Sequence, residues 1–521
     1  MPIEQLPHAS DLYRTAEIRE IEATALAGLP PGSLMRAAGK AAANLVKDLT
    51  PKTNTTKASV LVLCGPGNNG GDALETACLL ALADYDVSIV LCGGSRQFSA
   101  EAQLSLVRAQ HSPAKFIDID QALAQLITQS CSFVIDGLFG IGLSRPITGS
   151  AASMIVQLNR LTGATRPIVV ALDIPSGLDA DSGQIIGDQG VAVRATHTIT
   201  FIANKPGLHT GAGRDYAGSV TVANLQISSG FFPVPHGHLI DRSMFAEMFP
   251  ARAHDSNKGS FGNVAVIGGA AGMTGAPLLS ARAAIHCGAG RVYLGFVGAS
   301  IGVDSLHPEL MCRQATELDV RQHVVVIGPG LGDGAEAEAA LSRALTDAPS
   351  IVIDADALNL IAIRPVLQKL LTERRQNGVA SIITPHPLEA ARLLALSTKQ
   401  VQADRWRSAE RLAQIFNATV ILKGSGSIVA APDAPIYINS TGNPALATAG
   451  TGDVLAGICG ALLAQGMTEN HAATAAVWLH GLAADNLVEQ GVGPVGLTAS
   501  ELIPAVRRSL NQLINAAAIG S

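Results

Sequence analysis

The sequence predicts an α/β protein assembled from two parallel-sheet units. Three observations lead there. Short β-branched runs alternate with Ala/Leu-rich stretches along most of the chain, the rhythm of βαβ units. Hydrophobic residues make up 48% and aromatics only 4%, with 53 glycines; such a core uses Ala, Val, Leu and Ile, as buried parallel strands and covering helices require. Glycine-rich motifs follow the predicted strands, where open parallel sheets place their ligands. At 521 residues the chain exceeds one core, and two to four domains of roughly 100–200 residues are expected.

Taken in order, the first-half strands are expected near Val60–Cys64, Val87–Leu91, Phe133–Asp136, Ile168–Leu172, Thr198–Ile202 and Val220–Ala223. The second half should contribute Val264–Ile267, Val292–Phe296, Val324–Ile327, Ile351–Asp354, Ser381–Thr384 and Thr419–Leu422. Between the sets lies SSGFFPVPHGH, Ser228–His238, whose glycines and prolines read as a connector. Domains are therefore expected at residues 1–229 and 241–521, joined by a linker at 230–240. The halves share a rhythm but no sequence repeat, which points to fusion rather than duplication. Thr50–Thr56 and Asn377–Gly378 read as surface loops, and Asn511–Ser521 as a helix end.

Charge is nearly balanced, 36 basic against 42 acidic residues for a net −6. No basic stripe argues for nucleic acid and no Lys/Arg-rich amphipathic stretch for a membrane surface. The seven cysteines are scattered, odd in number and never paired as CxxC, which fits a reducing compartment better than a disulfide framework or zinc site. The polar, acidic N-terminus is unlike a signal peptide. The apolar runs Val454–Leu463 and Ala472–Leu479 fall short of the ~20 residues that span a bilayer. A soluble, cytoplasmic protein is expected, as a homo-oligomer; the Ala-rich stretch Ala472–Ala484 suits either a partner chain or the core.

In the first half, GPGNNGGD (Gly65–Asp72) leads into a helix expected at Ala73–Leu82. It is neither the GxGxxG fingerprint nor a Walker A loop, yet such a strand–loop–helix junction holds a pyrophosphate as readily as it makes a tight turn. DGLFGIGLSRP (Asp136–Pro146), DIPSGLDADSG (Asp173–Gly183) and NKPGL (Asn204–Leu208) also follow strands, so four loops converge on one rim. Asp136, Asp173, Ser176 and the Asn69 carbonyl offer hard oxygen ligands for a cation other than zinc. Asp179 and Asp181 suit bracing of their own loop.

These motifs, in this order, resemble the YjeF N-terminal family, the NAD(P)HX epimerases. The resemblance implies a Rossmann-like three-layer sandwich that binds hydrated nicotinamide nucleotides. It implies potassium near Asn69, Asp136 and Ser176. It also implies substrate contacts from Asn68, Asn69, Gly70, Gly71 and Asp72, from Gly140, Ile141, Gly142, Leu143, Ser144, Arg145 and Pro146, and from Asp173. Asp173 is the candidate acid/base, with Lys205 second. The family usually has a further glycine where this chain has Ala73.

In the second half, HDSNKGSFGNVAVIGG (His254–Gly269) enters the first strand and TGAP (Thr274–Pro277) starts a helix. GPGLG (Gly328–Gly332), DADALN (Asp354–Asn359), TPHPLEAARLL (Thr384–Leu394) and LKGSGSIV (Leu422–Val429) each follow a strand. NPALATAGTGDVLAG (Asn443–Gly457) then places Gly450, Gly452 and Asp453 where a loop becomes an apolar helix. A helix N-terminus carries roughly half a positive charge and suits phosphate. A carboxylate there is either an ordinary cap or a general base or metal contact beside the group transferred. Lys423 suits a nucleotide phosphate as countercharge. Asp354 and Asp356 suit Mg²⁺ binding and helix capping equally. His386 reads either as a turn histidine or as a ligand contact, and Glu389 as a first-turn residue.

These motifs resemble the YjeF C-terminal family, the ADP/ATP-dependent NAD(P)HX dehydratases of the ribokinase-like superfamily, here with Asn257 before Lys258. The resemblance implies a three-layer α/β/α domain in which Asp453 deprotonates the substrate hydroxyl. Lys423, Gly424, Ser425, Gly426, Ser427 and Gly452 would contact the adenine nucleotide, and Ala276, Gly330 and His386 the hydrated nucleotide.

Together the resemblances imply metabolite repair: the first domain interconverts R- and S-NADHX or NADPHX, and the second dehydrates the S form to NAD(P)H. ADP, giving AMP and phosphate, is the expected donor, with ATP the alternative and Mg²⁺ required. The competing reading is a small-molecule kinase resembling hydroxyethylthiazole kinases, carrying an N-terminal nucleotide-binding scaffold.

Overall fold

The computed structural model describes residues 9–51, 57–92, 98–128, 130–163, 166–245, 248–298 and 301–520. The loop expected at Thr50–Thr56 lies largely outside these described residues. The chain forms two compact units, Met1–Gly237 and His238–Ser521.

The first unit runs β1 (Asp11–Leu12), α1 (Thr15–Leu26), α2 (Ser33–Leu49), β2 (Ser59–Cys64), α3 (Asn68–Leu82), β3 (Asp86–Leu91), α4 (Ala100–Gln110), β4 (Lys115–Phe116), α5 (Ile119–Ile127), β5 (Phe133–Gly137), α6 (Gly149–Arg160), β6 (Ile168–Leu172), β7 (His197–Phe201), α7 (Gly213–Tyr216) and β8 (Ser219–Ala223). Its seven-stranded sheet has the order β4-β3-β2-β5-β6-β7-β8, parallel throughout. One apolar layer joins α1, α2 and α3 to the sheet, and another buries α5 and α6 on the opposite face. Three layers result because every central strand is apolar on both sides.

The helix α3 begins at Asn68, five residues before the expected Ala73. Gly70 allows this: a Cβ there would lie 1.8 Å from the Gly65 carbonyl oxygen. The NNGGD stretch is therefore a helical turn packed onto the end of β2, not a loop. The two-residue edge strand β4 was too short and polar to stand out in the sequence.

The second unit comprises β9 (Gly237–Ile240), β10 (Asn263–Gly268), α8 (Gly275–His286), β11 (Arg291–Phe296), β12 (Met311–Gln314), β13 (Val324–Ile327), α9 (Ala335–Asp347), β14 (Ser350–Ile353), α10 (Ala355–Ile363), α11 (Pro365–Gln376), β15 (Ala380–Ile383), α12 (Pro387–Leu394), α13 (Thr398–Ala403), α14 (Arg405–Phe416), β16 (Thr419–Leu422), β17 (Ile428–Ala430), β18 (Ile436–Asn439), α15 (Thr451–Ala464), α16 (Glu469–Glu489) and α17 (Ala499–Gly520). Its strands follow the order β9-β18-β17-β16-β15-β14-β13-β10-β11-β12. Pairing is parallel from β12 to β16 and antiparallel through β16-β17-β18. Thus the segment expected as a linker at 230–240 ends in a strand, and LKGSGSIV crosses into a hairpin.

The carboxyl ends of the parallel strands are stitched in series. Gly328 N–H donates to Ile267 O at 3.2 Å, Asp354 N–H to Ile327 O at 3.0 Å, and Thr384 N–H to Ile353 O at 3.1 Å. Lys423 N–H continues the row to Pro385 O at 2.9 Å. The helices α8, α15, α16 and α17 share one core layer. The stretch Ala472–Ala484 lies in that layer, most of its alanines 0% exposed, so its apolar residues serve the unit's own core. Among the described residues no helix is long and apolar enough to cross a membrane.

Candidate active sites

In the first unit a cleft of about 1000 Å³ opens over the carboxyl ends of β2, β5 and β6. Asn68, Asn69 and Asp72 from α3 line it, with Gly140, Ile141, Gly142, Leu143, Ser144, Arg145 and Pro146 from the loop after β5, and Asp173 from the end of β6. Because Asn68–Gly70 form a first helical turn, their N–H groups have no intrahelical acceptor. Gly70 and Gly71 do not join the lining: both are buried, against Gly65 and against Met35 respectively. Their smallness is spent on packing α3 down. The cleft has a further wall that strand-end reasoning missed, with Ile18, Arg19 and Glu22 from α1 and Met35 from α2. No glycine motif marks these helices.

Beneath the cleft floor Asp136 is 0% exposed. Its carboxylate accepts from Ser176 Oγ at 2.6 Å, Ser176 N–H at 2.8 Å and Leu138 N–H at 3.3 Å. Burial lifts its pKa to about 6, against these hydrogen bonds. Asn69 is also buried, its side chain against Gly140, and neither its Oδ1 nor its Nδ2 has a hydrogen-bond partner. A buried amide left unmet is costly, so Asn69 marks a place for a bound group. With Asp136, Ser176 and Asn69 the donors there are hard oxygens, a set that fits an alkali cation.

Asp173 adopts φ +66°, and its Oδ1 lies 2.8 Å from Lys205 Nζ. Lys205 is 0% exposed and also donates to Thr200 Oγ1 at 2.6 Å, Phe201 O at 3.0 Å and Ala203 O at 3.2 Å. The lysine is thereby fixed as a buried cation under Asp173 and does not line the cleft. Asp179 braces its own turn, accepting from Ser182 N–H and Oγ, both at 2.7 Å. Asp181 instead holds Thr15 N–H at 2.7 Å, fastening the start of α1. Asp72 sits well above the usual carboxylate range through burial and then the charges of Asp173 and Glu22.

In the second unit the strand ends gather a charged cluster. Lys423 Nζ donates to Asp354 Oδ1 at 2.6 Å and lies 4.0 Å from Glu389 Oε2. A methyl on Gly452 would sit 3.3 Å from Lys423 Nζ and 3.8 Å from Asp354 Oδ2, so Gly452 lets the first turn of α15 approach the pair. Asp354 stands at the N-cap of α10 without making a side-chain cap bond; its carboxylate belongs to Lys423. Asp356 Oδ2 accepts Gly332 N–H at 2.9 Å and ties the GPGLG loop to α10.

Burial, then Asp354 together with Asp356 and Glu389, raises Asp453 to about 7, with Lys423 opposing. Burial likewise raises Glu389, against the attraction of Lys423. Burial lowers the Lys423 ammonium, but Asp354 and Glu389 outweigh it and raise its pKa. Gly450, at φ +88°, caps α15, so Asp453 is a first-turn residue and not the cap. Ser280 Oγ donates to the Asp453 carbonyl at 2.6 Å, one helical turn along α8 from Ala276. A Cβ on Gly330 would lie 3.4 Å from that of Ala276, so these two residues share a surface.

His386 caps α12: its Nδ1 accepts from Leu388 N–H at 3.1 Å and Glu389 N–H at 3.3 Å. Its Nε2, the protonated nitrogen in that tautomer, is 3.3 Å from Glu389 Oε1. Burial and then Lys423 lower its pKa, which keeps the ring neutral. Glu389 thus serves both the helix turn and the lysine cluster, where sequence alone suggested only the turn. Gly424, Ser425, Gly426 and Ser427 form the turn between β16 and β17. The HDSNKGSFG motif precedes β10 and lies at the opposite, amino-terminal edge of the sheet, away from this cluster. Among the described residues no group of three or more His, Cys, Asp or Glu is arranged for a metal ion.

Residues 31–207 match the family described as YjeF-related protein N-terminus, and residues 264–508 match that of NAD(P)H-hydrate dehydratase. The bifunctional NAD(P)H-hydrate repair enzyme Nnr of Coxiella burnetii is 36% identical over 511 residues, 96% of this chain and 99% of the relative. Its counterpart in Escherichia coli is 34% identical over 517 residues, 97% of this chain and 95% of the relative. The ADP-dependent (S)-NAD(P)H-hydrate dehydratase of Neisseria meningitidis serogroup B is 46% identical over 276 residues, 52% of this chain and 92% of the relative. With likeness running nearly the whole length of this chain and of its relatives, this protein belongs to the family of bifunctional NAD(P)H-hydrate repair enzymes.

Proposed function

We propose that residues 1–229 epimerise R- and S-NAD(P)HX and that residues 241–521 dehydrate the S form using ADP. The observation that carries the second half is the Asp453 carboxylate. It sits in the first turn of α15 with its pKa raised to about 7, matched to proton abstraction near neutral pH. The N-terminus of α15 and Lys423 supply positive charge for a phosphoryl group in transfer. Asp453 takes the proton of the ring hydroxyl as that oxygen bonds to the β-phosphorus of ADP and the bond to AMP breaks. The ring C–O bond then breaks with loss of the neighbouring C–H proton, giving phosphate and NAD(P)H. Phosphate leaves far more readily than hydroxide.

Support for ADP as donor is the likeness to the ADP-dependent relative from Neisseria. Mg²⁺, when bound, would be held by Asp354 and Asp356 through the carboxylate oxygens that Lys423 and Gly332 leave over, and would neutralise phosphate charge. Potassium in the first unit would be held by Asn69, Asp136 and Ser176. Ala276, Gly330 and His386 would face the hydrated nucleotide. The free thiols of all seven cysteines favour a cytoplasmic setting.

The test is recovery of the reduced-nicotinamide absorbance from mixed NADHX epimers with Mg²⁺ and ADP. Full recovery supports both activities; recovery that stops at the S fraction removes the epimerase; none with either ADP or ATP removes the dehydratase. A second expectation concerns pH. Asp453 must be ionised to act as base, and its raised pKa makes it protonated below neutrality. The kcat/KM of dehydration should therefore fall as pH drops below about 7, while a limb near the ordinary carboxylate range would contradict the assignment.

A further inference from the structure

Arg405, the first residue of α14, is 1% exposed. A guanidinium removed from water must have its donors met, and here they are met largely by the backbone of one loop. Its Nη2 donates to Leu422 O at 3.2 Å, Lys423 O at 3.3 Å and Gly426 O at 3.4 Å. Its Nη1 donates to Lys423 O at 3.3 Å and to Gln402 Oε1 at 2.8 Å. A trans peptide turns its C=O and the next N–H in opposite directions. Carbonyls drawn onto Arg405 at Lys423 and Gly426 therefore turn the N–H groups of Gly424 and Ser427 away from it, the former onto Ser427 Oγ at 3.3 Å. Gly424 has φ +143°, and a Cβ there would lie 2.7 Å from Arg405 Nη1, so glycine admits the cation beneath the turn. Burial lowers the Arg405 pKa to about 10, which leaves it charged at neutral pH.

We propose that Arg405 is a positioning residue for the adenine nucleotide: by holding back the carbonyls of Lys423 and Gly426, it turns the N–H groups of Gly424 and Ser427 toward the phosphates. This rests on the reading of that loop as the nucleotide contact. Carbonyl oxygens turned the other way would repel a phosphate, and the buried charge adds an attractive field behind the loop.

The test compares Arg405→Lys, Arg405→Ala and Ser425→Glu in the full chain, with dehydration followed at varied ADP and varied S-NADHX. Lysine keeps the charge but cannot span several carbonyls as the planar fork does. Arg405→Lys should raise KM for ADP roughly tenfold, with KM for the hydrate nearly unchanged. Guanidinium chloride below denaturing concentrations should restore part of the ADP affinity of Arg405→Ala. Ser425 is exposed at the loop tip, and a carboxylate there should also raise KM for ADP. If both KM values rise together in Arg405→Lys and guanidinium rescues nothing, Arg405 is merely structural and the proposal falls. If Ser425→Glu raises KM for ADP while Arg405→Lys does not, the proposal falls and the loop reading stands. If neither changes it, the loop reading fails and takes the proposal with it.

Discussion

Asp453→Asn should reduce dehydration of S-NADHX by roughly 10²–10⁴-fold, the usual worth of a general base. The amide is isosteric and the carboxylate caps nothing: Gly450 is the N-cap of α15, and the Asp453 contact to Ser280 is made by its backbone carbonyl. Helix and loop should persist, and ADP binding measured by calorimetry should stay close to wild type. Removing a charge that Asp354 and Glu389 oppose also relieves repulsion, so melting temperature should hold or rise. Near-normal turnover in a folded variant would overturn the base assignment.

Asp173→Asn should abolish most epimerisation, again on the order of 10²–10⁴-fold, while dehydration of the S epimer continues. Asparagine tolerates the left-handed backbone that Asp173 adopts, so the loss should be chemical. One side effect follows from Lys205, buried and 2.8 Å away. Stripped of its anion, it keeps three oxygen acceptors; breaking a buried pair costs about 3–5 kcal/mol, and those acceptors should hold the loss below that range. The readout is the R-epimer fraction left in the absorbance assay, beside a thermal melt. A parallel fall in both activities would show that the two units do not work independently.

The strands that carry these sites were legible because β-branched, doubly apolar runs such as Val60–Cys64 and Val324–Ile327 have few other folds open to them. The rim loops were legible because glycines and acids cluster after such runs. Less legible was anything set by tertiary contact. Lys423 read as a countercharge awaiting phosphate, yet it is bonded to Asp354, 69 positions away. Glu389 satisfied a local helix rule, which hid its approach to the same lysine. Gly70 and Gly71 read as ligand contacts, and the packing that their smallness also serves shows only in the fold. Arg19 and Glu22 sit on a helix with no motif at all, so only the folded cleft reveals them. The short strands β4, β17 and β18 lie at or near sheet edges, where pairing partners rather than residue type decide the conformation.

The early start of α3 also bears on how the first cleft meets its ligand. A glycine-rich loop must give up backbone freedom when a phosphate arrives, on the order of 1–2 kcal/mol per residue fixed. In α3, residues Asn68–Asp72 are already wound into a helix, so that ordering is completed during folding. The cleft is preorganised: association should need little rearrangement, and less of the binding free energy should go into ordering the backbone.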